Sequence, residues 1–337
     1  MSTDRPLKVA LFGSGRIGQV HARNILANPE LELALIADPY IEGAQALAEG
    51  TGARAVATAD EVFASDGLDA IIIGSPTSTH VDLISRAAAH GVAALCEKPI
   101  DLDLDRVLSC RDSLRDSETP LMLGFNRRFD PNFASVQARV QTGEIGRLEQ
   151  LTIISRDPAP APAAYIAASG GIFRDQSIHD LDMARFFVPD IIEVSATGSN
   201  LFCDYIEEAG DFDSVVINLR GRGGEQITII NSRHSAFGHD QRLEAFGSEG
   251  MLTAGNLTPT SVRKFSATGA EESDPYLHFF LERYAEAYRL ELENFVRFIR
   301  EGIPCSPGFD DGLQALVLAN AAEESARSGR VVKIGQE

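Results

Sequence analysis

Tryptophan is absent from the 337 residues, aromatic residues make up 7%, and there are four cysteines and four methionines. Cys96, Cys110, Cys203 and Cys305 are scattered and form no CxxC pair, so they build neither a disulfide framework nor a zinc knuckle. A reducing cytoplasm is the expected compartment. Long apolar runs are also missing. No stretch reaches the roughly 20 residues that a membrane-crossing helix requires, and the first apolar run leads straight into a glycine turn rather than a cleavage site, so it reads as a strand and not a secretion signal. Basic residues are scarce: 30 Lys and Arg against 49 Asp and Glu leave a net charge of −19. A chain so acidic, with no basic stripe, is a poor binder of phosphate backbones, which argues against nucleic acid as a partner. Hydrophobic residues at 44% and charged residues at 23% are ordinary for a globular protein. The length suits about two domains.

The first 125 residues alternate apolar runs with helix-length segments. Strands are expected at Lys8–Phe12, Leu33–Ala37, Asp69–Gly74, Val92–Cys96 and Leu121–Phe125. Helices are expected at Arg16–Asn28, Ile41–Gly50, Thr79–His90 and Leu104–Ser117. This order implies βαβ units and a parallel sheet covered on both faces. Further on, helices are expected at Asp130–Thr142, Ile172–Phe187, 276–300 and 308–328, with a Pro/Ala-rich loop at Asp157–Ser169. Strands are expected at Leu148–Ser155, Glu193–Ser199, Asp213–Arg220, Gln226–Ser232, Arg242–Phe246, Ser261–Ser266 and Val331–Ile334. The turns GRGG (221–224) and GSEG (247–250) suit antiparallel hairpins. The fold class is therefore α/β, with a doubly wound parallel sheet, followed by an α+β domain with a large open, mostly antiparallel sheet. The domains are set at 1–125 and 126–300, with 301–337 as a terminal helix and strand packing back on the first domain.

Gly13-Ser14-Gly15-Arg16-Ile17-Gly18 is G-x-G-x-x-G at a strand end opening a helix. Gly13 permits the tight turn, Gly15 lets a pyrophosphate approach the backbone, and Gly18 lets helix and strand pack closely. Asp38 ends the second strand 20 residues after Gly18, where an acid binds ribose hydroxyls. A carboxylate there repels a 2′-phosphate, and Pro39 and Tyr40 supply no cation, so NAD is favoured over NADP. Arg16 is the one cation that could reach toward a phosphate.

Two segments carry acid–base chemistry. Glu97-Lys98-Pro99 follows a strand whose carboxyl end is where ligands bind in this class, and Lys98 could stabilise a developing alkoxide. The competing explanation is a surface lysine before a proline turn. Asp175 and His179 stand at i and i+4 and share a face if helical. A carboxylate-oriented histidine can take a hydroxyl proton near neutral pH. Its rivals are a surface ion pair and a metal site using His179 with Asp175 or Asp182; no further His/Cys cluster completes such a ligand set, and no metal is expected.

GSGRIG, SPTSTH (75–80), CEKP (96–99), GFNRRFD (124–130) and GGIFRDQSIHDLDMARFF (170–187) together resemble the glucose–fructose oxidoreductase / inositol dehydrogenase / rhizopine-catabolism family over essentially the whole chain. SRDPAPAPAAYI (155–166) is similar to the inositol 2-dehydrogenase branch. The resemblance implies a Rossmann domain, a C-terminal sheet domain, usually a tetramer, and NAD-dependent oxidation of a polyol hydroxyl, with myo-inositol to 2-keto-myo-inositol foremost. Scyllo-inositol, D-chiro-inositol or an aldose are alternatives, as is a non-catalytic dinucleotide-binding sensor. By motif, Lys98, Asp175 and His179 are the catalytic trio. Cofactor contacts would extend to Ile17, Ser75, Pro76, Thr77, His80 and Glu97. Polyol contacts would come from Arg127, Asp157, His239 and Tyr288. Relatives tend to show Tyr-Gly-Tyr-Asp where this chain has Phe237-Gly238-His239-Asp240, which bears on stereoisomer preference. Structural rivals are an ion-pairing Arg127 and a core Tyr288 on an amphipathic helix.

Overall fold

The structure, a computed structural model, describes residues 5–115 and 117–335. The chain forms two compact units. One comprises the described residues up to Phe129 with Ala287–Gln314; the other comprises Asp130–Glu286 with the residues from Ala315 onward.

In the first unit, six parallel strands form one sheet: β1 Leu7–Phe12, β2 Leu31–Ala37, β3 Arg54–Val56, β4 Ala70–Ile73, β5 Ala93–Cys96 and β6 Leu121–Leu123. Their order is β3-β2-β1-β4-β5-β6. The order reverses between β1 and β4, which opens a crevice at the carboxyl ends of those strands. β3 and the helix Ala59–Phe63 were not expected from the apolar pattern because both are short. Thr58 and Glu61 nevertheless form a capping box at that helix, a signature readable as T-x-x-E. The helix expected at 104–117 ends at Ser113, and residue 116 lies outside the described residues.

The helix Ala285–Glu301 belongs mostly to this first unit rather than to the second domain. Leu292, Phe295, Val296 and Ile299 follow helical spacing and join the core made by Leu7, Val9, Leu11, Ile36, Ile72 and Leu95. Each such buried side chain contributes roughly 1.5–3 kcal/mol.

The second unit holds β7 Leu148–Arg156, β8 Ile191–Ser199, β9 Ser214–Gly221, β10 Gln226–Ser232, β11 Asp240–Gly247 and β12 Gly250–Ala254. A hairpin of β13 Arg263–Ser266 and β14 Gly269–Ser273 follows, then β15 Val332–Lys333. The large sheet runs β12-β11-β7-β10-β9-β8-β15, and β7–β10 is its one parallel pair. Alternation puts Ile217, Ile229, Ile153 and Leu243 in register on the buried face. The helix Ser177–Phe187 packs on β7 and β10 and buries Ile178, Leu181 and Met183.

Four expectations need correction. The 157–169 loop contains a helical turn at Ala163–Ile166, directly after Pro162, where the fixed φ of proline suits a helix start. The 172–187 helix is two pieces, Gly171–Asp175 and Ser177–Phe187, meeting at Gln176, whose amide donates to the carbonyls of Ser155 and Ser232. The 276–300 helix begins at Phe280, and a second piece begins at Ala285. Finally, β15 pairs with β8 in the second unit's sheet, so the terminal segment does not pack wholly on the first domain.

Asp130 shows how the second unit is held. It caps the helix Pro131–Gln141 through the Asn132 and Phe133 N–H groups, both at 3.1 Å, and pairs with buried Arg283. Asp130→Ala removes the cap and strands a guanidinium in the interior. Its stability in urea should fall by about 3–5 kcal/mol; a loss below 1 kcal/mol would show the pair to be solvated.

Candidate active site

The first unit supplies a cradle at the β1–β4 switch point. Gly13 has φ +98°, and a Cβ on it would lie 2.6 Å from the Gly74 carbonyl oxygen. A Cβ on Gly18 would lie 2.0 Å from the Gly13 carbonyl oxygen. Both glycines are therefore demanded by packing. Gly15 differs: a Cβ there would meet nothing within 4 Å. Its backbone faces open space at the start of the helix Arg16–Ala27, where free N–H groups and the positive dipole end attract a pyrophosphate. That space is what a dinucleotide would fill.

Asp38 is tied to the same turn. Its carboxylate accepts from the Ser14 N–H at 2.8 Å, the Ser14 hydroxyl at 2.7 Å and the Tyr40 N–H at 2.9 Å. Partial burial alone would raise its pKa, but these donors outweigh it and hold the group below the usual carboxylate range. With three donors on about four lone-pair sites, it keeps capacity for a ribose hydroxyl. Arg16 is exposed and Ile17 half-buried, with its side chain against Gly74.

Around β4 and β5, Ser75 and Thr79 share a hydrogen bond of 2.7 Å, Pro76 is exposed and Thr77 half-buried. His80, expected among the cofactor contacts, links the two loops at this end of the sheet. Its Nδ1 lies 2.8 Å from the Pro99 carbonyl and its Nε2 2.9 Å from the Ser75 carbonyl, so the buried ring braces the two loops. Burial pushes its pKa down, against the pull of both carbonyls. Lys98 is half-buried just beyond β5, and Glu97 before it is buried against His21 at 2.8 Å. Arg127 is buried on the 3-10 turn Asn126–Phe129. Tyr288 is buried, and its ring meets His21 edge-on at 6.0 Å. The core packing that the sequence offered as the structural rival for Tyr288 is thus present.

The second unit supplies the other candidates. Asp175 closes its short helix with its carboxylate accepting from the Tyr165 hydroxyl at 2.8 Å and from Arg233 Nη1 at 3.1 Å. Arg233 is buried and also donates to Asp211 at 3.1 Å, and Asp211 accepts from the Ile172 N–H at 2.9 Å. Desolvation opposes the guanidinium's charge, but the two carboxylates outweigh it and raise its pKa. Burial and the Asp175 charge push the Tyr165 phenol up as well. Neither Tyr165, Arg233 nor Asp211 stood out in the sequence, because each looks ordinary until the chain folds.

His179 is half-buried in the first turn of the helix Ser177–Phe187. The next residue docks that helix: buried Asp180 accepts from the Ser155 hydroxyl and the Asn231 amide, both at 2.7 Å. Ser177 completes the network by donating to Asn231 at 2.6 Å. Asp157 and His239 come together, with Nε2 3.4 Å from the Asp157 carboxylate. The Gln241 carbonyl accepts from the Tyr284 hydroxyl at 2.8 Å, so its amide N–H faces His239 Nε2 at 3.0 Å. The half-exposed Asp157 leaves this pair accessible.

Gly15 separates binding from folding. Gly15→Val should leave the urea midpoint unchanged, since its side chain meets no protein atom, yet weaken dinucleotide binding at least tenfold in calorimetry, about 1.4 kcal/mol. Unchanged affinity would mean the cradle is elsewhere.

Residues 7–125 match the model of an oxidoreductase family with an NAD-binding Rossmann fold, and residues 133–253 match the GFO/IDH/MocA C-terminal domain. The inositol 2-dehydrogenase of Rhizobium meliloti (strain 1021) is 45% identical over 97% of this chain and 99% of its own. The crystal structure of a myo-inositol dehydrogenase from Corynebacterium glutamicum superposes with a TM-score of 0.96 at 62% identity, over 98% and 100% of the two chains. A scyllo-inositol dehydrogenase from Lactobacillus casei, solved with NAD(H) and scyllo-inositol, gives a TM-score of 0.90 at 26% identity, over 98% and 100%. With its open cradle beneath Asp38 and this likeness along its whole length, the chain belongs to the GFO/IDH/MocA family of NAD-binding oxidoreductases.

Proposed function

We propose that this chain is an NAD-dependent cyclitol dehydrogenase that oxidises a ring hydroxyl of myo-inositol, giving 2-keto-myo-inositol. The observation that carries the reading is the end-to-end likeness to inositol 2-dehydrogenases in a chain that also has Lys98, Asp175 and His179. When bound, NAD supplies the hydride acceptor. His179 takes the hydroxyl proton as general base. Lys98 donates to the same oxygen and stabilises its growing negative charge. Asp175 supplies the negative charge that favours the imidazolium, and Arg233 and Tyr165 keep its carboxylate from turning away. Asp157, His239 and Arg127 are proposed to bind other hydroxyls of the ring. A polyol-binding site of this kind discriminates strongly, because a missing hydroxyl leaves a buried polar group unpaired. Asp38, followed by Pro39 and Tyr40, supports NAD over NADP.

The enzyme is further proposed to work as a homotetramer in the cytoplasm. Unpaired cysteines and the family likeness support this, as do the exposed apolar side chains Val216, Phe246 and Met251 on the large sheet.

Purified protein with myo-inositol and NAD should form NADH, and an aldose should serve less well. Lys98→Ala and His179→Ala should each lower kcat by at least about 100-fold while NAD binding persists. Near-wild-type turnover in both variants would overturn the mechanism. The base must be unprotonated to act, so the wild-type oxidation rate should rise with pH from about 6 and level off by about 9, as for an imidazole. A flat profile would remove His179 from this role.

A further inference from the structure

The first unit buries three ionisable groups that the reaction as derived does not use together. His21 lies on the helix Arg16–Ala27, Glu97 follows β5, and Glu291 lies on the helix Ala285–Glu301. One ligand-type atom from each lies within 4.8 Å of the others. His21 is 1% exposed, Glu97 9% and Glu291 0%. Neither Glu291 oxygen meets a hydrogen-bond donor among the described residues. The walls are tight. Tyr288, one turn before Glu291, covers His21, and a Cβ on Gly124 would stand 2.9 Å from Glu97 Oε2.

Either a metal ion or a proton could reconcile two carboxylates in so dry a place. The geometry disfavours a tetrahedral ion. Donors about 2.0–2.1 Å from a tetrahedral ion stand about 3.3 Å apart, whereas His21 Nε2 and Glu97 Oε1 are 2.8 Å apart in a hydrogen bond; an octahedral ion would tolerate that spacing but demands about six donors, where this pocket brings three residues together. A proton needs no such room. Two carboxyl groups this close and this buried cannot both ionise.

We infer that Glu291 is a positioning residue: it stands neutral, turns its proton toward Glu97, and with His21 holds Glu97 and so the backbone that carries Lys98. The inference rests on the role proposed for Lys98 above. Burial first, and then the charge of Glu97, push the Glu291 carboxyl well above the ordinary range, in keeping with the geometry. The titratable groups facing it are Glu97 and His21, with Tyr288 packed against the latter. One carboxylate then has the His21 hydrogen bond on one side and a proton in place of a second negative charge on the other, which holds its rotamer more firmly than His21 alone.

The test compares the whole enzyme with Glu291→Gln and Glu291→Leu. The infrared spectrum of the wild type at neutral pH should contain a protonated-carboxyl C=O band that Glu291→Gln lacks. Glu291→Gln keeps a donor, so kcat should stay within about threefold of wild type, whereas Glu291→Leu should lose about tenfold or more in kcat with little change in KM for NAD. A spectrum without that band, or a stoichiometric divalent ion surviving dialysis whose chelation abolishes turnover, would overturn the inference. Should Glu291→Leu fail to fold, the spectrum and Glu291→Gln still decide. A fully active Lys98→Ala with the band present would instead refute the role of Lys98 and leave the proton where it is placed.

Discussion

Removing a charged group from water costs several kcal/mol unless donors or counter-charges surround it. This chain buries Glu97, Asp130, Asp180, Asp211, Arg233, Arg283 and Glu291, and the answer found for each shapes the structure around it. Arg233 sits between Asp175 and Asp211, so the end of β10 and the helix Gly171–Asp175 are fixed together. Asp180 is satisfied by Ser155 of β7 and Asn231 of β10, which sets the helix carrying His179 on the sheet. The candidate chemistry therefore rests on groups that are held because their alternatives are unsolvated.

The first unit was legible in the sequence because its signals agree with one another. Apolar strands, helix-length spacers, G-x-G-x-x-G and a strand-end Asp38 all point to one topology, and the elements fall within a few residues of expectation. β3 and the helix Ala59–Phe63 escaped because a three-residue strand and a five-residue helix carry too little period to detect. The helix Ala285–Glu301 is readable in the sequence but the unit it joins is not, since an apolar stripe says that a face is buried and not against what.

The site is legible as far as its residues keep a fixed motif spacing. Gly13, Gly18 and Asp38 stand at a fixed spacing that a pattern can read, and the fold gathers them at one turn. His80 and Tyr288 also have bracing and packing tasks that no motif shows, because their partners lie in other segments. Arg233, Tyr165 and Asp211 come from separate segments and carry no mark that spacing could reveal. Glu291 did leave a mark, as a glutamate on the stripe of Tyr288, Leu292 and Phe295, where an apolar residue is the norm.

The central claim is that a hydride passes from a ring carbon of a cyclitol to NAD on this protein. The most direct test incubates the enzyme and NAD with myo-inositol deuterated at its ring carbons and weighs the reduced cofactor by mass spectrometry. The account predicts one deuterium in each newly formed NADH, and none when unlabelled inositol is used in deuterated water. Reduced cofactor without the label, or no reduced cofactor at all with any inositol isomer, would contradict it.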